Sequence, residues 1–289
     1  MENIVLTVII AAYNAEKTIK RCIESVFKGM DADSVKKTEV IVVDDASADL
    51  TSDVVRGIDL SFDSDDSDDS VNPVRLIRLA ENGGCVAKTR NVGLRLAKGE
   101  YVTYLDADDW YEDGAVEKIL GLIDEYAPDI IRFGYKEVYP NGEIKVRGNN
   151  FEKRGLVTKA EFKSKIYPRF IGGISLNSVC LAVFKRAVIK GIRFPEEFCT
   201  AEDAAFSIEA YTAAENVLTL PDSLYCYYQS GGGLTGTGLS LLKKYKYNFM
   251  LVPIMLKKLS EWGMDTFLWR LKTILRPVII TIDKIKRKG

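Results

Sequence analysis

Three aspartates at one predicted strand end are the most chemically distinctive feature of this 289-residue chain. In the stretch YVTYLDADDW, positions 101–110, five mostly apolar residues typical of a buried strand run directly into Asp106, Asp108 and Asp109. Crowded carboxylates repel one another, and a bound divalent cation would offset that repulsion. Mg²⁺ and Mn²⁺ prefer oxygen ligands and commonly share one or two carboxylates with substrate phosphates. The stretch therefore predicts a cation site beside a diphosphate, with a solvated turn as the alternative.

Polar residues also follow two other predicted strands. Tyr13 and Asn14 come after the apolar run IVLTVIIA at 4–11, and Asp44 and Asp45 come after EVIVV at 39–43. In open parallel sheets, ligands bind outside the carboxyl ends of the strands. We therefore expect these residues to share one ligand site with the three aspartates. A helix cap is the alternative for Asp44-Asp45, because aspartate accepts hydrogen bonds from free N–H groups there.

Absent residue types restrict the chemistry further. The chain has no histidine, which excludes Ser-His-Asp triads and H-E-x-x-H zinc sites and leaves a carboxylate as the expected general base. Its five cysteines are widely spaced and include no C-x-x-C, which fits a reducing compartment and supports neither a disulfide framework nor a zinc site. The opening MENIVLTVIIAA predicts a strand, not a signal peptide. These features favour a cytoplasmic protein.

The elements that must position these residues alternate between strand and helix. Predicted strands at 4–11, 39–43, 74–79 and 101–105 are separated by helical patterns at 15–30, 47–58 and 86–97. This alternation predicts an α/β fold with a mostly parallel, doubly wound sheet.

The pattern changes after Ala127. A hairpin is expected around Pro140-Asn141-Gly142, a strand at 178–186, a helix from about Glu202 and a final strand at LYCYYQ, 224–229. The glycine-rich SGGGLTGTG at 230–238 is either a flexible connector or a lid over a bound nucleotide.

Five segments, in this order along the chain, carry a resemblance to a known family. They are VIIAAYNAEKTIKRCIESV, EVIVVDDAS, NGGCVAKTRNVGL, KGEYVTYLDADDW and FPEEFCTAEDAAF. Together they closely resemble family 2 glycosyltransferases of the inverting GT-A type, over roughly residues 4–230. The resemblance implies a Rossmann-like, mostly parallel central sheet flanked by helices, forming a glycosyltransferase domain at 1–238. Its nucleotide-sugar-binding half would span about 1–127 and its acceptor-binding half about 128–238.

The resemblance also implies a nucleotide-binding role for residues at the first two strand ends. Ala11 and Tyr13 would border the base, and Asp44 and Asp45 would receive hydrogen bonds from the base or ribose. Ala11 stands where the family often has a proline, and Asp113 stands where a proline often follows the D-x-D-D motif. Both are departures in loops.

The chemical step would fall to residues farther along the chain. By resemblance, Lys88 and Arg90 would face the nucleotide, although exposed helix residues are the alternative. Asp106 would contact the ribose, and Asp108 would ligate Mn²⁺ or Mg²⁺ bridging both phosphates. Asp203 would be the general base that takes the proton of the acceptor hydroxyl, although acidic residues are also favourable in any first helical turn.

The C-terminal segment 239–289 has a different composition. Residues 241–289 hold 12 Lys and Arg against 3 Asp and Glu, whereas the rest of the chain has a net charge of −10. From Met264 onward, apolar residues recur at helical spacing, and Pro277 should kink or interrupt the helix. One interpretation is an in-plane helix at 264–289 on an anionic membrane surface. The other is a helix docked on its own domain or on a second subunit.

These observations predict an inverting, metal-dependent glycosyltransferase that acts in the cytoplasm, or peripherally on the inner face of the membrane. It would transfer one sugar from a nucleotide-sugar donor, most simply a UDP-sugar, to a glycan or lipid-linked acceptor in cell-surface polysaccharide synthesis. No nucleic-acid partner is expected. A nucleotidyltransferase is one alternative, but AAYNAEKT lacks the glycine-rich basic loop that a triphosphate needs. A non-catalytic nucleotide-sugar-binding protein is the other.

Overall fold

The strands of the fold form one sheet. The computed structural model describes residues 4–59, 72–147, 151, 153–173, 176–229 and 241–286, with side chains for all of these except 241–247 and 281–286. The strands are β1 Leu6–Ala12, β2 Thr38–Asp44, β3 Val74–Arg78, β4 Tyr101–Asp106, β5 Trp110–Tyr111, β6 Ile130–Val138, β7 Ile144–Arg147, β8 Gly155–Thr158, β9 Ala182–Lys185 and β10 Asn216–Tyr228.

Helices separate most of these strands. They are α1 Ile19–Phe27, α2 Ala32–Lys36, α3 Thr51–Arg56, α4 Val86–Leu96, α5 Ala115–Tyr126, α6 Phe162–Lys165, α7 Tyr167–Gly172, α8 Glu202–Ala213, α9 Leu241–Glu261 and α10 Phe267–Lys286, with a 3₁₀ turn at Lys159–Glu161.

The strand order is β3-β2-β1-β4-β9-β6-β10-β5, with β7 paired to β6 and β8 to β10. The first four strands in that order are mutually parallel, which confirms the predicted doubly wound half. Strand β9 then pairs antiparallel with both β4 and β6, so the second half of the sheet is mixed. The predicted hairpin is the antiparallel pair β6/β7 around Gly142.

Helices pack over the parallel half of the sheet. Strands β1 and β2 are buried along almost their whole length, as a strand covered on both faces must be. Helix α4 lies close against β1 at Gly93, where an added Cβ would come within 2.4 Å of Ile9 Cγ2. On α1, Ile19, Cys22 and Ile23 are fully buried, as their helical spacing predicts.

The C-terminal helices pack on the sheet domain. Leu251, Met255 and Leu259 of α9 belong to the continuous apolar core. Trp262 stacks on Tyr167 with ring centroids 4.6 Å apart and an interplanar angle of 7°. Helix α10 runs through Pro277 without the predicted interruption.

Within the described parts of the chain, none of the helices has both the length and the apolar character needed to span a bilayer. The predicted connector or lid at 230–238 lies outside the described residues, as do the aspartate-rich residues 61–71.

Candidate active site

The predicted polar strand ends lie along one edge of the sheet. Because β1 is parallel to both neighbours, Ala11 pairs with Val43 on one side and with Asp106 on the other, and Ala12 pairs with Asp44. The loops that follow these strands therefore emerge side by side. This is the edge where ligands bind in open α/β sheets.

The loop after β1 is tied to the loop after β2. Asn14 N–H donates to Ser47 Oγ at 2.9 Å, and Asn14 Oδ1 accepts from Ala48 N–H at 2.9 Å. Ala15 N–H donates to Thr51 Oγ1 at 2.7 Å. Tyr13 stands clear of these bonds with 54% of its surface exposed, so its ring is free to stack on a base.

Asp44 braces this edge from beneath. Its side chain is fully buried, Oδ1 accepts from Ser47 N–H at 2.9 Å, and Oδ2 accepts from Ser52 Oγ and, at 3.2 Å, from Arg78. Since both oxygens are engaged and none of the side chain is exposed, Asp44 has no surface to offer a nucleotide. We therefore correct its predicted nucleotide contact to a supporting role for the loop after β2.

Asp45 holds the glycine turn that opens α4. Its Oδ1 accepts from Gly83 N–H at 2.8 Å, and its main-chain carbonyl accepts from Asn82 Nδ2 at 3.2 Å. An added Cβ at Gly83 would lie 2.8 Å from Lys88 Cδ, so the glycine lets Lys88 pack over the turn. Asp45 and Lys88 thus lie together, on either side of Gly83, at the edge where the parallel strands end.

Asp106 and Asp108 occupy the turn after β4 in different ways. Asp106 keeps 38% of its side chain exposed while binding Arg90. The carboxylate of Asp108 makes no hydrogen bond or ion pair with any other described residue; its own main-chain N–H is its one donor, and its main-chain carbonyl accepts from Arg21 Nη2 at 3.0 Å. Burial and the neighbouring Asp106 raise the pKa of Asp108. An unpaired, partly buried carboxylate of this kind is suited to a cation.

The third aspartate, Asp109, faces inward. It is fully buried and accepts from Tyr225 Oη at 2.5 Å and from Tyr228 N–H at 2.7 Å. Burial, together with the charges of Asp106 and Asp108, raises its pKa to about 8. Asp109 therefore fastens the end of β10 to the turn after β4.

A cleft of about 380 Å³ opens beside this turn. Its walls come from residues 14–18, Asp49, Asp108 and Tyr228. The guanidinium of Arg21 lies 3.7 Å from the centre of the Trp110 ring and 5.1 Å from that of Tyr228. This stack fixes one wall of the cleft next to Asp108.

The candidate base lies at the start of α8 and is tied to the donor side by one arginine. Arg90 Nη2 donates to Asp106 Oδ1 at 2.8 Å, and Nη1 donates to Glu202 Oε1 at 3.0 Å and to Asp203 Oδ1. The Arg90 side chain is only 5% exposed, whereas that of Asp203 is 24% exposed. Arg90, which the resemblance predicts to face the nucleotide, therefore binds three protein carboxylates here.

For Asp203 and for Arg90, burial and the oppositely charged neighbour shift the pKa in opposing directions. Burial raises the pKa of Asp203 well above its ordinary value; Arg90 acts against the rise, and Glu202 and Asp106 add to it. Burial alone would lower the pKa of Arg90, but Asp203 and Asp106 raise it above its ordinary value. A carboxyl group with a raised pKa and a fixed cation beside it can accept a proton near neutral pH.

Three loops of the site contain a non-glycine residue with left-handed backbone. They are Asn14 after β1 (φ 49°), Ala46 after β2 (φ 56°) and Ala201 before α8 (φ 70°). Alanine is disfavoured in this region because its Cβ crowds the following carbonyl oxygen. The surrounding hydrogen bonds hold these loops in place, as is common at functional sites.

Sequence reasoning missed several residues that build the site. Arg78 supports Asp44 from the end of β3, Asn82 and Gly83 close on Asp45, and Tyr225 binds Asp109 from a strand more than a hundred residues away. The quoted segment NGGCVAKTRNVGL contains Asn82 and Gly83, so their position beside a strand end was the available signal. Nothing local to Tyr225 indicates its partner.

Solved structures of other proteins resemble this fold. The crystal structure of Staphylococcus aureus TarS 1–349 in complex with UDP superposes with a TM-score of 0.66 and 25% identity, over 93% of this chain and 68% of that one. A mannosyltransferase from Pyrobaculum calidifontis in complex with GDP-Man and Mn²⁺ shares the fold at a TM-score of 0.53 and 18% identity, over 95% of this chain and 68% of that one. These similarities confirm the predicted GT-A fold.

Glycosyltransferases are also found among the relatives that resemble this chain in sequence. The poly(ribitol-phosphate) β-N-acetylglucosaminyltransferase TarS of S. aureus is 31% identical over 231 residues, which are 76% of this chain and 35% of TarS. Glycosyltransferase GlyG of Streptococcus pneumoniae is 26% identical over 279 residues, 93% of this chain and 85% of GlyG.

The chain spans about a third of the length of TarS and of S. pneumoniae GlyA, the latter 25% identical over 80% of this chain. A family model described as "Glycosyl transferase family 2" matches residues 7–193. Since that match covers well over half of the sequence and the family resemblance extends over the polar strand ends, the chain belongs to glycosyl transferase family 2.

Proposed function

We propose that this chain is an inverting glycosyltransferase that moves a single sugar from a UDP-sugar to a glycan or lipid-linked acceptor in cell-surface polysaccharide synthesis. The observation that carries the proposal is the meeting of Asp106 and Asp203 on Arg90. It brings a donor-side carboxylate from the first half of the chain and a candidate base from the second half to one edge of the sheet. A protein that only bound nucleotide would not need the second carboxylate.

The donor site would comprise the residues along the strand ends. Tyr13 would stack on the base beside Ala11, Asp45 would accept a hydrogen bond from the base or ribose, Lys88 would neutralise phosphate charge, and Asp106 would bind the ribose. The binding of UDP by TarS, which is similar over most of this chain, supports a uridine nucleotide.

A divalent cation fits the chemistry of the Asp108 carboxylate. Asp108 is partly buried, pairs with the side chain of no other described residue and lies close to the negative charge of Asp106. The described residues contain no group of three or more acidic or thiol side chains that could hold an ion by itself. Mn²⁺ or Mg²⁺ would therefore share Asp108 with the donor phosphates, as these ions commonly do. The ion would offset charge on the departing diphosphate.

The reaction would use the chain's own residues as follows. Asp203 accepts the proton of the acceptor hydroxyl, and the hydroxyl oxygen attacks the anomeric carbon of the donor. The bond between that carbon and the phosphate oxygen breaks, UDP leaves with the bonding electron pair, and the configuration inverts. Asp106 and Asp45 hold the nucleoside in place, so the attack is directed at one face of the sugar.

The outer face of α10 fits an anionic membrane surface, where a lipid-linked acceptor would be found. Its exposed apolar residues are Phe267, Leu268, Leu271, Ile274, Leu275, Val278 and Ile279. Arg276 on the opposite face donates to Phe170 and Gly173 carbonyls, so the helix cannot turn this apolar surface inward. The net charge of +9 over 241–289 complements anionic lipid.

An assay over a panel of UDP-sugars with Mn²⁺ tests the proposal through UDP release and sugar transfer. Asp203→Asn should lower turnover by about 10²-fold or more while leaving UDP affinity intact, since a general base contributes about 10²–10⁴-fold. Asp113→Asn is the matched control, because Asp113 is exposed and pairs with Lys28 at the surface.

Other outcomes identify the alternatives. Turnover of nucleoside triphosphates would indicate a nucleotidyltransferase. UDP-sugar binding without hydrolysis or transfer would indicate a non-catalytic binding protein. Full activity in Asp203→Asn would remove Asp203 from the mechanism.

A further inference from the structure

Arg90 is surrounded by acidic acceptors from two different elements. Projecting from α4, it contacts Asp106 at the end of β4 and both Glu202 and Asp203 at the start of α8. One cation thus stands among three carboxyl groups. Its two terminal nitrogens bind different sides of the site: Nη2 donates to Asp106 on the donor side, and Nη1 donates to the candidate base Asp203.

The surroundings of Arg90 are rigid. The guanidinium carbon lies 5.6 Å from the centre of the Phe194 ring, which stacks on Phe206 of α8 with centroids 4.3 Å apart. The next residue, Asn91, donates to the Phe194 carbonyl at 2.9 Å and accepts from Phe194 N–H at 2.9 Å. Helix α4 therefore holds both Arg90 and the segment that leads into α8.

We propose that Arg90 is a positioning residue for sugar transfer: its guanidinium sets the place of Asp203 relative to Asp106 and holds Asp203 ready to take a proton. This role rests on the proposed function and assigns Arg90 no contact with substrate. A planar guanidinium can bind in two directions at fixed angles, whereas a lysine ammonium offers a point charge. Arg90→Lys should therefore restore only part of what Arg90→Ala loses.

The charges facing Asp203 fix the direction of the pH effect. They are Arg90 from α4, Asp106 from β4 and Glu202 from α8, with the Tyr104 hydroxyl and the Cys180 thiol also nearby. Removing the Arg90 cation stabilises the protonated form of Asp203, so the acid limb of the rate profile moves to higher pH. Removing the Glu202 charge does the opposite.

The test compares Arg90→Ala, Arg90→Lys and Glu202→Gln with the unaltered chain. For Arg90→Ala we expect kcat to fall by about 10²-fold or more, while the UDP dissociation constant with Mn²⁺ changes by less than about fivefold. The acid limb of its pH–rate profile should move to higher pH by about one unit or more. Added guanidinium ion should recover part of the Arg90→Ala activity. In Glu202→Gln, which keeps an acceptor for Nη1, the acid limb should fall.

Each contrary result has a distinct meaning. A loss of UDP affinity as large as the loss of kcat would make Arg90 a nucleotide ligand and overturn the proposal. Acid limbs that stay in place or move in the same direction in both variants would also overturn it. Thermal melting shows whether Arg90→Ala folds, and Glu202→Gln keeps the test decisive if it does not. An unaltered chain that transfers no sugar would refute the proposed function itself.

Discussion

At the scale of single residues, Asp108 is the side chain on which a cation requirement depends. Its carboxylate pairs with no other described residue, whereas Asp106 binds Arg90 and Asp109 binds both Tyr225 and Tyr228. A charged, partly buried group without a partner is costly, and a divalent ion would remove that cost. This contrast fits the proposed roles of Asp106 at the ribose and of Asp108 at an ion, whereas Asp109 is a structural brace between the turn after β4 and the end of β10.

Asp108→Asn should remove most of the effect of Mn²⁺ on UDP binding. The amide keeps the size of the side chain but loses the charge that the ion needs, so we expect the Mn²⁺-dependent gain in UDP affinity to fall about tenfold or more. Isothermal titration with UDP, in Mn²⁺ and in EDTA, measures the gain. Asp113→Asn serves as control, and an undiminished Mn²⁺ effect in Asp108→Asn would exclude Asp108 as the ligand.

Asp109 should make stability depend on pH. Its pKa is raised to about 8 in the folded chain, mainly by burial, whereas an unfolded aspartate titrates near pH 3.9. Between roughly these values the folded state holds a proton that the unfolded state has released, so the free energy of unfolding should fall as pH rises. In metal-free buffer, Asp109→Asn should flatten this slope in denaturant titrations from pH 4 to 8. An equally steep slope in the variant would contradict the assignment.

Residue roles were only partly predictable from sequence. The pair Asp44-Asp45 gives no local signal of which member points inward, and the structure resolves this through Ser52 and Arg78, which enclose Asp44. Arg90 resembled an exposed or nucleotide-facing helix residue, because its partners Glu202 and Asp203 lie more than a hundred positions away. The local spacing of residues does not predict ion pairs between distant parts of the chain.

At the scale of elements, α10 presents an apolar face whose use can be measured. The double variant Leu271→Ser/Leu275→Ser replaces two exposed side chains, 39% and 43% accessible, so the fold should be unaffected. Binding to vesicles rich in anionic phospholipid should fall about tenfold or more, because each buried apolar side chain contributes about 1.5–3 kcal/mol. Co-sedimentation measures it.

The control for this experiment is Ile144→Ser, which alters an exposed apolar residue on β7. The unaltered chain should bind neutral vesicles weakly and lose affinity for anionic vesicles as salt is raised. A concentration-dependent dimer that dissociates in the Leu271/Leu275 variant, with no vesicle binding, would assign this face to a second copy of the chain.

Elements with strong periodicity were the most predictable. Strand β1, strand β2 and helix α4 lie within one or two residues of their predicted bounds. Strand β10 begins at Asn216, eight residues before the predicted strand, because residues 216–219 pair with β8 and β6 ahead of the register shifts between Thr219 and Tyr225. Pro277 was expected to kink or interrupt α10; the interruption is absent, and Pro277 is buried beside Arg276 in a helix that continues to Lys286.

At the scale of the whole molecule, Arg276 joins the C-terminal helices to the domain. It is 1% exposed and donates to the carbonyls of Phe170 and Gly173 and to Asn248 Oδ1, and burial lowers its pKa to about 10. The sequence could show that 264–289 is amphipathic, but not which face docks. The buried Arg276 decides this, because its bonds to the domain orient the apolar face of α10 outward.

Arg276→Met should destabilise the whole chain. It keeps much of the apolar stem but leaves the carbonyls without a donor, and we expect the free energy of unfolding to fall by about 2–4 kcal/mol. Denaturant unfolding measures the change, and faster proteolysis within α10 would locate it. Arg270→Met on the same helix is the matched control, since its ion pair with Asp265 is exposed and should contribute less than about 1 kcal/mol. Equal losses in both variants would contradict the anchoring role.

The left-handed alanines Ala46 and Ala201 carry a consequence for engineering. Glycine at either position would relieve backbone crowding, so the free energy of unfolding should rise by about 0.5–1 kcal/mol. The melting temperature should rise slightly with it. At Ala201 the same change would also make the turn ahead of Asp203 more flexible. Turnover should therefore fall while thermal stability rises. The melting temperature and the turnover of both variants test whether these turns keep a strained shape at the expense of stability. A gain in both quantities would contradict this.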